Sequence, residues 1–181
     1  MAAEMHGKCV ELFRDMFPSF KRVAALGNGA DPFSKPFLEQ IKLAGKTTSI
    51  EIAPTIMVHG PQEIDAAFVA MKTENADAVI IQGSLASQHV AELALMRRLP
   101  AASNPRSFAE SGGMLSYGAD GPASYRQSAR FVSKILQGGL PADMPIEQPT
   151  KFELVVNLKS AKALGLTIAE SFLLRADAVI E

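Results

Sequence analysis

The sequence predicts a three-layer α/β/α fold around a mostly parallel sheet. Three observations predict it. Short apolar runs rich in β-branched residues alternate with amphipathic segments of about ten to thirteen residues, the period of βαβ units joined by right-handed crossovers. Most of these runs hand over to a polar, glycine-containing loop, as buried parallel strands do. The chain has 181 residues, 48% of them apolar and 20% charged, which suffices for one substantial core but hardly for two.

The elements follow in order. Leu12, Phe13, Met16 and Phe17 recur at helical spacing and stop at Pro18, predicting an opening amphipathic helix. Arg22 to Leu26 is an apolar strand that ends in Gly27-Asn-Gly-Ala-Asp-Pro32, and a helix runs from about Pro32 to Leu43. Ser49 to Val58 reads as the next strand, broken by Gly60-Pro61; Ile64, Ala67, Phe68 and Met71 then mark one face of a helix over Glu63 to Lys72. Asp77 to Ile81 is a buried strand, with Gln82-Gly-Ser84 and a helix from about Leu85 to Arg97 behind it. A short strand over Leu99 to Ala102, a polar loop over Ser103 to Arg106, a helical turn over Ser107 to Ser111 and a strand over Gly113 to Tyr117 complete this stretch.

The tail reads differently. Tyr125 to Leu136 is helical, residues 137–145 form a linker rich in breakers, and Lys151 to Asn157 alternates as a strand. Asn157 is placed to cap a short helix ending at Gly165, and Thr167 with Glu170 has capping-box spacing. This last third is expected to lie outside the compact lobe.

Composition excludes several function classes. Eighteen basic residues stand against nineteen acidic ones with no run of like charge beyond Arg97-Arg98, so no footprint for nucleic acid or an anionic membrane is present. The one cysteine, Cys9, excludes an internal disulfide and a cysteine-rich metal site, and reads as core filler on the first helix. No segment approaches the roughly 20 apolar residues of a membrane span, and the N-terminus as given carries no secretory pattern.

Ligands in open parallel sheets sit beyond the carboxyl ends of the strands, where loops converge and helix N-termini present free N–H groups. The loops to inspect are Gly27 to Ser34, Gln82 to Ser87, Ser103 to Arg106 and Ser116 to Asp120. Gly83-Ser84, read as the start of a helix, offers N–H groups and a hydroxyl to an anion, or simply a turn and a cap. Asn28 and Asp31-Pro32 read equally as turn formers or ligand contacts. Tyr117 offers a ring to stack on a ligand, or closes the edge of the core. His6, His59 and His89 lack ligand spacing and read as surface or loop residues, so no metal and no cofactor is expected. Paired carboxylates are not assembled by Glu51, Asp65, Asp77 and Glu110, and no nucleophile elbow, dinucleotide fingerprint or phosphate loop occurs. Ser84 with His89 is the nearest approach to a hydrolase, and no catalytic constellation can be built around them. No enzymatic activity is therefore expected.

Four stretches together resemble the ABC transporter substrate-binding proteins whose better-known members recognise aromatic amino acids. They are Lys21-Arg-Val-Ala-Ala-Leu26 with Asn28 and Pro32, Phe108-Ala-Glu-Ser-Gly-Gly-Met-Leu-Ser-Tyr-Gly118, the segment Leu140 to Leu166, and Arg175-Ala-Asp-Ala-Val-Ile-Glu181. The resemblance implies one lobe of a type I periplasmic-binding-protein-like fold, working outside the cytoplasm, that closes with a second lobe on a small solute such as an amino acid or an aromatic or organic acid. It implies an ABC permease as partner of the full-length protein. By the resemblance, solute contacts fall on Asn28, on Gly83, Ser84 and Leu85, on Ser103 and Asn104, and on Tyr117 and Gly118 at the hinge. Gln82-Gly-Ser-Leu85 departs from the loop of many members, which puts the identity of the solute in doubt.

The chain as given reads as a truncated second lobe: residues 1–20 a helix leading in from a missing lobe, 21–118 the ligand-binding lobe, and 119–181 a crossover helix, linker, strand and short helices. The apolar face of Tyr125 to Leu136 (Ala129, Val132, Ile135, Leu136) would then seek another partner, and a homodimer is expected through it. The readings from other classes are a hydrolase on a flavodoxin-like sheet and a regulatory or oligomerisation domain, since fold alone does not fix function.

Overall fold

A computed structural model describes residues 2–181. Strands β1 (Arg22–Asn28), β2 (Glu51–Val58), β3 (Ala78–Ile81), β4 (Ala101–Ser103), β5 (Leu115–Ala119), β6 (Phe152–Asn157) and β7 (Ala178–Ile180) form one sheet in the order β2-β1-β3-β4-β5-β6-β7. The first five are mutually parallel; β6 runs antiparallel to β5, and β7 is parallel to β6. Helices α1 (Ala2–Met16), α2 (Ser34–Thr48), α3 (Ile64–Thr73), α4 (Gln88–Met96), α5 (Arg106–Glu110), α6 (Gly121–Leu136), α7 (Leu158–Ala163) and α8 (Glu170–Leu173) connect them.

The near-continuous apolar runs have a direct cause: each central strand is buried on both faces. On β1, Val23 and Ala25 enter a cluster with Phe13 of α1, Phe37 and Ile41 of α2 and Phe172 of α8, while Ala24 and Leu26 enter another with Phe68 and Met71 of α3, Leu93 of α4 and Phe108 of α5. Each such side chain contributes about 1.5–3 kcal/mol on full burial. The strand order reverses between β1 and β3: from β1 the chain crosses to β2 by α2, then returns past β1 to β3 by α3. A crevice at the carboxyl ends of β1 and β3 follows from that reversal.

Local chemistry sets several boundaries. Asn157 caps α7 through Ser160 N–H, which donates to its Oδ1 at 3.0 Å, and Gly165 closes that helix in the left-handed region at φ 74°. Asp120 caps α6 by accepting from Ala123 N–H at 2.9 Å.

Four expectations are corrected. The tail does not lie outside the lobe, because β6 and β7 extend the sheet and Leu154, Val155 and Val156 are buried; only the segment 121–150 projects. Thr167 and Glu170 make no capping box, since α8 begins at Glu170 behind Ala169 with no side-chain cap. Ser84 does not open the fourth helix: residues Gly83–Leu85 form a separate 3-10 turn, and α4 starts at Gln88 behind Ser87, whose hydroxyl accepts from Val90 N–H at 3.3 Å. His6 is no surface residue; it is buried with its ring edge-on to Phe37, centroids 4.8 Å apart.

Among the described residues no helix is long and apolar enough to cross a membrane. Helix α6 has no buried residue at all, and it exposes Tyr125, Val132, Ile135 and Leu136 on the face the sequence marks as apolar.

Candidate functional site

Four loops adjoin along the carboxyl edge of the sheet, starting where the strand order reverses. Asn28 ends β1, and its Oδ1 accepts from Ala30 N–H at 3.1 Å, the Asx turn that its side chain favours. Asp31 builds the next turn by accepting from Phe33 N–H at 2.9 Å through Oδ1. Across the crevice, Gln82 follows β3 and is 1% exposed. Its Oε1 accepts from Asn28 N–H at 2.9 Å, and its Nε2 donates to Asp31 Oδ2 at 2.7 Å. One planar amide thus ties the end of β3 to the end of β1 and to the loop beyond it.

The second half of the edge is built on close backbone approach. Asn104 follows β4 and lies against Gly83 and Gly118: a Cβ on Gly83 would overlap Asn104 Oδ1, and one on Gly118 would overlap the Asn104 carbonyl oxygen. Asn104 Oδ1 is itself buried without a hydrogen-bond partner, as is Ser116 Oγ one strand over. Arg106, two residues after Asn104, pairs with Glu110 on its own helix at 2.7 Å and with Glu153 on β6, which pins this loop to the far side of the sheet. The hydrogen bond to Glu110 first, and the nearby Glu153 charge with it, raise the pKa of the guanidinium.

The structure therefore brings Asn28, Gly83, Asn104 and Gly118 to one edge. The other expected residues are placed differently. Ser84 is exposed on the 3-10 turn, and Leu85 is half-buried against the α3–α4 cluster. Ser103 is fully buried, and its hydroxyl donates to Ile81 O at 2.8 Å, a tie between β4 and β3. Tyr117 packs against the cluster on the α1 side of the sheet; its ring stacks on Phe152, with centroids 6.0 Å apart and planes at 18°. There it lines a cavity of about 420 Å³ with Met5, Lys8 and Leu43.

Asp31, read from the sequence as a turn former or a ligand contact, forms the turn, and Gln82 is the site-forming residue that motif reading passes over. Gln82 sits in a loop marked for inspection, yet only the three-dimensional reversal of the strands shows what its amide spans. At this edge the Nδ2 groups of Asn28 and Asn104 make no hydrogen bond among the described residues, and each can donate to an acceptor. The charged side chains here are already paired or bonded: both oxygens of Asp31 accept, and Arg106 pairs with Glu110 and Glu153. Amide groups of this kind bind and orient a solute through hydrogen bonds rather than transfer its protons.

The histidine and serine of the hydrolase reading are not joined: His89 Nε2 lies 4.0 Å from Asp65 on α3, and no hydrogen bond links His89 to Ser84 among the described residues. Nor do three or more His, Cys, Asp or Glu side chains gather for a metal among the described residues.

Residues 2–180 match the family model described as ABC transporter substrate binding protein. Among solved structures, the ABC domain in complex with L-Trp from Streptococcus pneumonia is 27% identical, with a TM-score of 0.86, over 97% of this chain and 60% of that one. A conserved domain protein from Vibrio cholerae is 23% identical, with a TM-score of 0.85, over 96% and 60%. The ligand-free, open form of a substrate binding protein from Clostridium difficile is 18% identical, with a TM-score of 0.71, over 95% and 58%. The chain thus spans about 60% of the length of these proteins. A search of curated proteins gave no match.

Proposed function

The chain belongs to the ABC transporter substrate binding protein family, and from that premise we propose that its polar sheet edge is one wall of a solute cleft. The observation that carries this reading is the line of Asn28, Gly83, Asn104 and Gly118 along the carboxyl edge of the sheet, which begins at the crevice between β1 and β3 and runs on to β5. Open α/β sheets bind their ligands at such a reversal. The opposite wall comes from the length that this chain does not span in its relatives. The solute is a small molecule with a carboxylate or carbonyl to accept from Asn28 Nδ2; an amino acid or a small aromatic acid fits. The L-Trp held by the Streptococcus pneumonia structure supports that class. Ser84, Leu85 and Tyr117 complete the proposed contact set, Tyr117 from the α1 side of the hinge, whereas Ser103, fully buried and spent on Ile81 O, supports the wall from beneath.

The setting follows the family: delivery of the solute outside the cytoplasm to an ABC permease, with binding rather than turnover as the activity. The chain functions as the second lobe, with residues 21–118 as the binding unit and 119–181 carrying the crossover arm. Because α6 projects with its apolar face uncovered, two copies of the chain pair through it when no other lobe covers it.

Thermal-shift and calorimetric titration with L-tryptophan, the other amino acids and small aromatic acids test the reading, on this chain and on a form joined to a preceding lobe. A member of the set raises the melting temperature of the joined form and does so weakly, if at all, for the single lobe. The absence of any shift in the joined form counts against the ligand class.

A further inference from the structure

We propose that Gln82 is a positioning residue for the cleft: it touches no solute, and its amide fixes the β1–α2 loop that presents Asn28. This inference rests on the binding reading above. Gln82 is buried, and each half of its amide is used, Oε1 for Asn28 N–H and Nε2 for Asp31 Oδ2, at 2.9 and 2.7 Å. Its main chain is held as well, with Gln82 N–H donating to Leu26 O at 2.9 Å and Leu85 N–H donating to Gln82 O at 2.9 Å. A side chain gripped at both ends is a strut between two loops.

Only glutamine meets the demand at this position. The bridge needs an acceptor and a donor on one planar group, at a reach that asparagine lacks by one methylene. Glutamate offers no donor and would set a carboxylate against Asp31. Methionine has the length and neither function, leaving the Asn28 N–H and the Asp31 carboxylate without their partner. Gly27 makes room for the strut: a Cβ there would come within 3.3 Å of Gln82 Oε1 and would overlap Met57. The Asp31 end matters because Asp31 also holds Phe33 N–H, and Asn28 holds Ala30 N–H, so one amide links the two side-chain turns to β3, beside the backbone bonds from Gly29 N–H to Val58 O and from Asp31 N–H to Asn28 O.

Asp31→Asn offers a matched rescue. In Gln82→Glu/Asp31→Asn the donor and acceptor are exchanged: one glutamate oxygen accepts from Asn28 N–H, the other from the new amide, and the Asn oxygen still accepts from Phe33 N–H. The test measures amide hydrogen exchange at Ala30 and Phe33, neither of which bonds to Gln82, alongside calorimetric titration with L-tryptophan on the form joined to a preceding lobe. Gln82→Met and Gln82→Glu should speed exchange at both amides by about tenfold and weaken L-tryptophan by a similar factor, as the loss of a hydrogen bond to a charged group implies. The double variant should recover most of both losses at an unchanged melting temperature. Unaltered exchange in Gln82→Met overturns the proposal. So does faster exchange with full affinity, which would make the strut irrelevant to binding. Failure of the unsubstituted protein to bind L-tryptophan, with exchange behaving as expected, refutes that ligand and supports the hold of Gln82 on the loop.

Discussion

Gly118 on β5 and Asn104 after β4 are in backbone contact so close that a Cβ on Gly118 would overlap the Asn104 carbonyl oxygen. That oxygen belongs to the main chain and cannot rotate away, so the two strands must separate if Gly118 gains a side chain. Gly118→Ala should cost about 1–3 kcal/mol, the range for overpacking a buried site. It should also shift the loop that carries Asn104 and weaken solute binding. Chemical denaturation followed by circular dichroism checks the first effect, and titration of the joined form checks the second. Gly83→Ala meets only the tip of the Asn104 side chain, which can turn aside, so its stability cost should be the smaller of the two.

The contrast between Gly118 and Tyr117 tells how much of this was legible in the sequence. Strands and helices were legible because a strand buried on both faces must be apolar throughout, and a helix that covers it must repeat its apolar residues every three or four positions. The carboxyl-end loops were legible for the same reason: they are what remains between the runs. Tyr117 and Ser103 show the limit. On a strand, neighbours point to opposite faces, so membership of the right loop does not say which face a ring or hydroxyl serves. The Gln82 strut was invisible because its partners, Asn28 and Asp31, are 54 and 51 residues away and become neighbours only through the strand reversal. The 3-10 turn at Gly83–Leu85 does not stand out in the sequence because its residues favour a cap and a short turn equally.

Asn157 carries two jobs with one buried side chain. Its Oδ1 caps α7 through Ser160 N–H at 3.0 Å, and its Nδ2 donates to Ala109 O at 2.8 Å, tying β6 to α5. Replacement by alanine removes a cap, worth about 0.5–2 kcal/mol, and leaves a carbonyl without its donor. Asn157→Ala should therefore lose about 2–3 kcal/mol of stability, whereas Asn157→Asp, which keeps only the cap, should fall between. Urea titration of the three proteins measures the order.

Helix α6 carries Arg126, Arg130 and Lys134 and no acidic residue, beside the exposed Tyr125, Val132, Ile135 and Leu136. Pairing of two copies must bury the apolar stripe while holding the two basic stripes apart. Light scattering across a concentration series should show the mass of two chains at the upper end, with association strengthened by salt, which screens the basic residues. Val132→Glu/Leu136→Glu should return the mass to one chain without altering the melting temperature, because neither side chain touches the core. A mass of one chain throughout would mean that the stripe is not used between copies.

Cys9 is fully buried on α1 among the side chains that cover β4 and β5, and its Sγ lies 3.9 Å from Ser103 O. Burial pushes its thiol up from the ordinary 9.0 to about 12, against a smaller lowering by a backbone hydrogen bond from Tyr117. A raised pKa means that the folded chain holds the proton more tightly than the unfolded one. The resulting stability is whole below pH 9 and drains away as pH climbs from there towards 12, by about 1.4 kcal/mol per unit while only the unfolded chain is ionised. Cys9→Ala removes this dependence, so its denaturation midpoint should fall less between pH 9 and 11 than that of the parent. Because the thiolate is the reactive form, a thiol reagent at pH 8 should leave the native chain unlabelled and modify it fully in denaturant. Rapid labelling of the native protein at pH 8 would mean that α1 lifts from the sheet on the timescale of the reaction.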